Sequence, residues 1–162
     1  MSIDAKAFRQ ALGQFATGIA VVTGRDREGR PIGVTVNAFS SVSLDPPLVL
    51  FCLGRESASH PALVEGERFA VNVLARDQQG LSDRFAGKAA DKFLGLDVDG
   101  GLGEVPLLRG CLARIECRRE ATHPGGDHDI LVGRVERLAV NEGAGEPLLY
   151  FRGDYRHLGP TL

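Results

Sequence analysis

The pattern of apolar and polar positions changes period early in the chain. Phe8, Leu12 and Phe15 recur at helical spacing behind Asp4, which suits a first turn, and they predict an amphipathic helix over residues 4–15. Gly13 weakens its end and Thr17-Gly18 breaks it. Beyond that point the period is that of strands. Ile19–Thr23 is a continuous run rich in β-branched side chains, and the charged stretch from Gly24 to Pro31 turns the chain into a second strand at Ile32–Val36. Leu48–Leu53 is hydrophobic without interruption, as a fully buried strand is, and Asp45-Pro46-Pro47 ahead of it is turn chemistry. Ser59 or His60 near a cap, with Pro61 in an early helical position, predicts a short helix ending near Gly66. Phe69–Leu74 is another strand, and Asp77 caps a helix that runs through Leu81 and Phe85 to Gly87. Further strands are predicted at Ala113–Glu120, Ile130–Ala139 and Leu148–Phe151. Six or seven strands, short helices and no regular strand–helix alternation predict a mainly β fold, an antiparallel barrel decorated by helices.

Composition narrows the class. The 162 residues fit a single domain spanning 1–162, large enough to bury a real core, with 43% hydrophobic and 25% charged residues as in an ordinary globular protein. A net charge of −2 and a pI near 6.1 give no global basic field for nucleic acid or anionic lipid. No apolar run is long enough to span a membrane, and the polar N-terminus lacks the apolar core of a signal peptide, so a cytoplasmic location is expected. Cys52, Cys111 and Cys117 have no metal-ligand spacing. Cys111, Ala113, Ile115 and Cys117 alternate with Leu112, Arg114, Glu116 and Arg118, which places both cysteines on the inner face of one strand. Six residues of strand span about 20 Å, too far for a disulfide, so buried, inert thiols are expected.

Familiar phosphate cradles are absent. Gly101-Leu102-Gly103 begins like a dinucleotide fingerprint, but Pro106 stands where the third glycine belongs, and Gly87-Lys88 lacks the earlier glycine of a P-loop, where Ser82 stands. Any nucleotide must therefore bind by another geometry. The stretch Gly33–Ser43 runs out of a strand into small hydroxyl and amide side chains. Such a patch offers backbone N–H groups, hydroxyls and a carboxamide without bulk, which suits a flavin's ring edge and phosphate. On composition alone it reads rather as a polar turn between strands.

The strings ATGIAVVT (16–23) and GVTVNAFSSVSLDPPLVLFCL (33–53), followed by His60, FAVNVLA, LSDRFAG, DKF, Gly126-Asp127-His128 and PLLYFRGDY, resemble the short-chain flavin reductase family. The likeness runs from about residue 8 to residue 158, with the motifs in the family's order. It implies an FMN-binding split β-barrel, a homodimer with the flavin in a groove at the subunit interface, and work as the reductase component of a two-component flavin monooxygenase. FMN or FAD is the implied flavin and NADH or NADPH the co-substrate.

Carried over by position, Thr35, Val36, Asn37 and Ala38 are expected along the isoalloxazine edge, with Ser40 and Ser41 near the ribityl and phosphate. Cys52 and Leu53 match flavin-contacting positions, and Ser57, His60, Phe85 and Lys92 match positions near the phosphate. Packing for Phe85 and a solvated role for Lys92 read as well from sequence alone. Gly126-Asp127-His128 matches the motif whose histidine faces the nicotinamide, and Arg152 and Tyr155 match positions near that pocket. A turn histidine between strands and an aromatic packed at a barrel's end are the plain alternatives. The implied reaction is hydride transfer from the nicotinamide to the flavin, in which the protein holds two rings in contact and main-chain N–H groups stabilise the charge formed on reduction. A non-catalytic flavin or electron carrier on the same barrel is the main rival. An oxidase of the pyridoxamine-phosphate type lacks the basic phosphate cluster it needs here, and a purely structural module would bind no flavin.

Overall fold

The computed structural model describes residues 3–143 and 145–160. Seven strands form one antiparallel sheet: β2 (Ala20–Arg25), β3 (Pro31–Val36), β4 (Phe39–Leu44), β5 (Pro47–Gly54), β6 (Arg68–Val73), β9 (Ala113–Gly125) and β10 (His128–Val140). Their order is β3-β2-β6-β9-β10-β5-β4. Val36 on β3 and Phe51 on β5 lie five strand spacings apart in that order, about 24 Å in a flat sheet. They nevertheless belong to one buried cluster with Val22, Phe69, Val71 and Leu131. The sheet therefore curls round its own apolar face into a barrel. The two edge strands of the sheet are β3 and β4, joined in sequence by Asn37-Ala38 alone. Among the described residues they share no rung of hydrogen bonds.

Alternation along β5 shows how the sequence sets this curvature. Val49, Phe51 and Leu53 are buried inside the barrel, while Leu50 and Cys52 point to the outer side and are half-buried. The unbroken hydrophobicity of the strand reflects cover on both faces. A second buried cluster lies outside β2, where Ile19 and Val21 pack with Phe85, Phe93, Leu108 and Leu148. It brings in α3 (Gln79–Ala86), the small hairpin of β7 (Val98–Gly100) and β8 (Pro106–Leu108), and a three-stranded sheet of β1 (Thr17–Gly18), β11 (Leu149–Phe151) and β12 (Asp154–Arg156) in the order β1-β11-β12. Asn72 ties the two layers together from a fully buried position: its Nδ2 donates to Val21 O at 3.0 Å and its Oδ1 accepts from Leu108 N–H at 2.9 Å.

Several expectations need correction. The first helix, α1, spans Ala5–Leu12 rather than reaching residue 15, because Gly13 N–H closes onto Arg9 O and the chain then unwinds into β1 at the supposed breaker Thr17-Gly18. Asp4 caps it, accepting from Ala7 N–H at 2.9 Å, but none of its residues is buried. The polar patch after Val36 is not a turn: Phe39–Leu44 forms β4, pairing along β5 with a bulge between Ser41 and Ser43. Asp77 lies in a single 3₁₀ turn ahead of α3 and makes no side-chain cap. Cys111 precedes β9 and belongs to the outer cluster, whereas Cys117 lies inside the barrel. Both thiols are buried, which pushes them up to about 11 and about 12. The short helix α2 spans His60–Glu65, with Pro61 in its first turn.

Candidate active site

A groove of about 740 Å³ opens at the seam of the barrel. One wall is the outward side of β5 with Leu50 and Cys52, continued by Phe39 and Ser40 of β4. Its floor is the Val36-Asn37-Ala38 link, and the other wall is Leu12, Phe15 and the segment from Ala16 to Ala20. Five of the expected flavin residues meet here: Val36, Asn37, Ala38, Ser40 and Cys52. Asn37, Ala38 and Ser40 are exposed, Cys52 is half-buried, and Cys52 N–H donates to Ala38 O at 2.9 Å, so β5 holds the floor in place. The α1 wall was not expected from sequence. Phe8, Leu12 and Phe15 carried the signal for an amphipathic helix, but their spacing does not say what the apolar side faces, and Leu12 and Phe15 are 58% and 79% exposed.

The remaining expected residues fall into neighbouring clusters. Gly126-Asp127-His128 forms the tip of the β9–β10 hairpin, where a two-residue turn takes a positive φ of 76° at Gly126, a conformation glycine adopts without strain. His128 pairs with Gly54 across the sheet, and its Nε2 would lie 3.5 Å from a Cβ placed there, so the bare glycine seats the imidazole. Its Nδ1 lies 2.7 Å from Asp127 Oδ1, and the hydrogen bond to His128 holds the Asp127 carboxyl below the usual range. Ser57 and His60 lie on the loop after β5 and at the start of α2. Ser57 Oγ accepts from Ser59 N–H at 3.3 Å, while His60 Nε2 lies 2.7 Å from Asp129 Oδ2 and is thereby committed within the protein.

Thr35, Phe85, Lys92 and Tyr155 gather where α3 crosses β3. Thr35 Oγ1 donates to Ser82 O at 2.7 Å, and Lys92 Nζ donates to Phe85 O at 2.7 Å. Burial lowers the lysine's pKa. Tyr155 OH donates to Asp83 Oδ1 at 2.7 Å and lies 2.8 Å from Ser82 Oγ; burial first, then Asp83, pushes its pKa up. Two residues expected at the flavin are core residues by side chain. Phe85 is wholly buried, edge-on to Phe93 at 5.0 Å, and Leu53 is 1% exposed inside the barrel, so only their backbones have anything to offer a ligand. Ser41 is an exposed β4 residue beyond the groove lining. Arg152 braces the groove wall from behind: its N–H donates to Gly13 O and its Nε to Gln14 Oε1, both at 2.9 Å, from a positive-φ turn.

The groove's size and lining suit a planar heteroaromatic ligand, since pockets of roughly 300–1,000 Å³ with mostly apolar walls and a few polar groups hold such molecules. The buried hydroxyl of Thr17, in the groove wall, has no hydrogen-bond partner among the described residues, an unmet polar group of the sort a bound ligand satisfies. No group of three or more His, Cys, Asp or Glu residues that could hold a metal occurs among the described residues, and no described helix is long and apolar enough to cross a membrane.

Comparison with known proteins agrees with this geometry. The family described as "Flavin reductase like domain" matches residues 12–159. The FMN reductase (NADH) SmoA of Agrobacterium fabrum is 48% identical over 156 residues, covering 94% of this chain and 85% of that protein. The reductase subunit HsaB of a flavin-dependent monooxygenase from Rhodococcus jostii is 44% identical, covering 98% of this chain and 80% of its own length. The NADH:FAD oxidoreductase SgcE6 of Streptomyces globisporus, solved in complex with NAD and FAD fragments, superposes with a TM-score of 0.90 at 35% identity, over 99% of this chain and 98% of that one. Fold, groove and sequence together place the chain in the flavin reductase family.

Proposed function

We propose that this chain is an NAD(P)H:flavin oxidoreductase that takes FMN or FAD into the seam groove, passes it a hydride from NADH or NADPH, and supplies reduced flavin to a partner monooxygenase. The observation that carries the reading is the groove itself, which sets an apolar wall against exposed small polar groups where, among the described residues, the barrel's edge strands share no hydrogen bonds. Bound there, the flavin supplies the hydride-accepting ring. The chain's own residues do the rest. Val36, Ala38, Leu50 and Phe15 form apolar surface that excludes water from one side of a planar ligand. Asn37, Ser40 and the main chain of the floor provide hydrogen-bond partners for its polar edge. The imidazole of His128, held through Nδ1 by Asp127, is the group we assign to binding the nicotinamide nucleotide, and its contact with Asp127 supports that reading.

A homodimer fits the same surface. Ile3, Phe8, Leu12 and Phe15 on one side of the groove and Val42 and Leu44 on the other are large, apolar and about half or more exposed in a single chain. A second copy seated there would cover them and roof the groove. The decisive assay follows NADH and NADPH oxidation by purified protein at 340 nm with and without FMN, FAD or riboflavin. Oxidation is expected only when flavin is supplied or already bound. Failure with every pairing removes the enzymatic reading, and tight flavin binding with only slow reduction turns it into that of an electron carrier.

A further inference from the structure

The hairpin tip that carries His128 is held by a residue that the reaction itself does not need. Successive residues of a strand face opposite ways, so as His128 points outward over Gly54, Asp129 points into the end of the barrel, where it is 9% exposed. Its two carboxylate oxygens are divided between two elements. Oδ1 accepts from Arg55 Nε at 3.2 Å and Nη2 at 2.8 Å, and Oδ2 lies 2.7 Å from Nε2 of His60, the first residue of α2. A second link runs alongside, since Arg55 N–H donates to Asp127 O at 3.0 Å. The arginine first, and then the histidine, hold the Asp129 carboxyl below the usual range, so it stays ionised at neutral pH. A charged acceptor shared by two donors is the strong form of hydrogen bond and fixes geometry as well as adding energy.

The tip depends on this anchor. β5 ends at Gly54, so residues 125–127 extend past the last cross-strand pair with β5. Without the Asp129 carboxylate, what joins that tip to the loop after β5 is the single Arg55–Asp127 main-chain bond. We infer that Asp129, clamped by Arg55 and His60, is a positioning residue that sets the height of the His128 imidazole over Gly54 and so the affinity for the nicotinamide nucleotide. The inference rests on the role proposed for His128.

A double-mutant cycle tests it, with NADH as varied substrate, FMN saturating, and FMN affinity and thermal midpoint measured for each variant. Asp129→Asn keeps the shape and removes the charge. It is expected to raise the KM for NADH by about tenfold, to leave FMN affinity within about twofold, and to add nothing further in a His128→Ala background. Arg55→Ala, at a half-exposed side chain, is expected to shift KM in the same direction by a smaller factor, and it serves as the variant of record if Asp129→Asn does not fold. If His128→Ala raises KM while Asp129→Asn leaves it unchanged, or if the two effects multiply independently, the anchor is overturned and the role of His128 survives. If His128→Ala itself leaves KM unchanged, the role of His128 falls first and the inference falls with it.

Discussion

Where β10 passes over the barrel interior, Gly133 leaves room that no other residue would. A Cβ there would lie 2.3 Å from Phe69 Cζ and 2.8 Å from Cys117 Cβ, in a core whose atoms are already in contact. Gly133→Ala is expected to cost about 1–3 kcal/mol in urea unfolding, with the midpoint lowered and the m-value unchanged. A loss of under about 0.5 kcal/mol would mean that the ring moves aside freely. Glu116 is the residue where sequence and structure part most clearly. Alternation along its strand placed it outward with Arg114 and Arg118, yet it is 5% exposed, because the turn at Leu102 folds over it and donates a backbone N–H at 2.6 Å. Arg137 adds two charge-assisted bonds, at 2.5 and 2.7 Å. Burial alone would raise this carboxyl, but Arg137 and the Leu102 N–H outweigh it and the pKa is lowered. A folded-state pKa below the unfolded value, about 4.3 for glutamate, gives stability that is fully present above that pH and is lost as pH falls through the folded value. Unfolding free energy is therefore expected to fall less steeply below pH about 4.3 in Glu116→Gln than in the parent; equal slopes would show that the ion pair does not couple to folding. No period in the sequence reveals this, since the cover comes from a turn 14 residues away.

At the scale of elements, strongly periodic or continuously apolar segments were legible, whereas the polar edge strand β4 and the shortest strands were not. The alternating and continuous apolar runs located β2, β3, β5, β6, β9 and β10, because each has an inner face that must be buried. β4 escaped because an edge strand with solvent on one side needs few apolar residues, and Ser40, Ser41 and Ser43 carry little β propensity. The short strands β1, β7, β8 and β12, of two or three residues each, are too brief to show a period. Helix α1 was legible as an amphipathic helix, but not what its apolar side faces. Phe8 lies outside the groove lining and Phe15 within it, so the two separate association from ligand binding. If two chains pair as proposed, Phe8→Asp is expected to shift the protein from dimer to monomer in sedimentation velocity with little change in protomer fold. Phe15→Asp is expected to weaken FMN binding by tenfold or more, because it places a charge in an apolar wall. A Phe8→Asp protein that remains dimeric would move the proposed subunit contact elsewhere.

The molecule as a whole is a barrel with an outer layer, and its class followed from the count and spacing of strands. What the pattern could not convey was closure, since the seam depends on which edge strands fail to pair, a long-range outcome of curvature rather than of any local run. The groove's floor was legible through Asn37 and the small residues around it. The hairpin anchor was not, because Asp129 lies 74 and 69 residues from Arg55 and His60, and no local pattern brings them together. If the groove is the flavin site, FMN at 100 times its Kd adds about 2.7 kcal/mol to the folded state and raises the melting midpoint by roughly 5–10 °C. No shift at that excess would place the ligand off this fold. An enzyme that hands its product to another protein must also let go of it. Among the described residues β3 and β4 are the two edges of the sheet and share no ladder, so no β3–β4 rung closes the barrel at the groove. If the groove is the flavin site, loading and unloading are expected to need only a loosening of this margin, while the six hydrogen-bonded strand pairings keep the barrel intact.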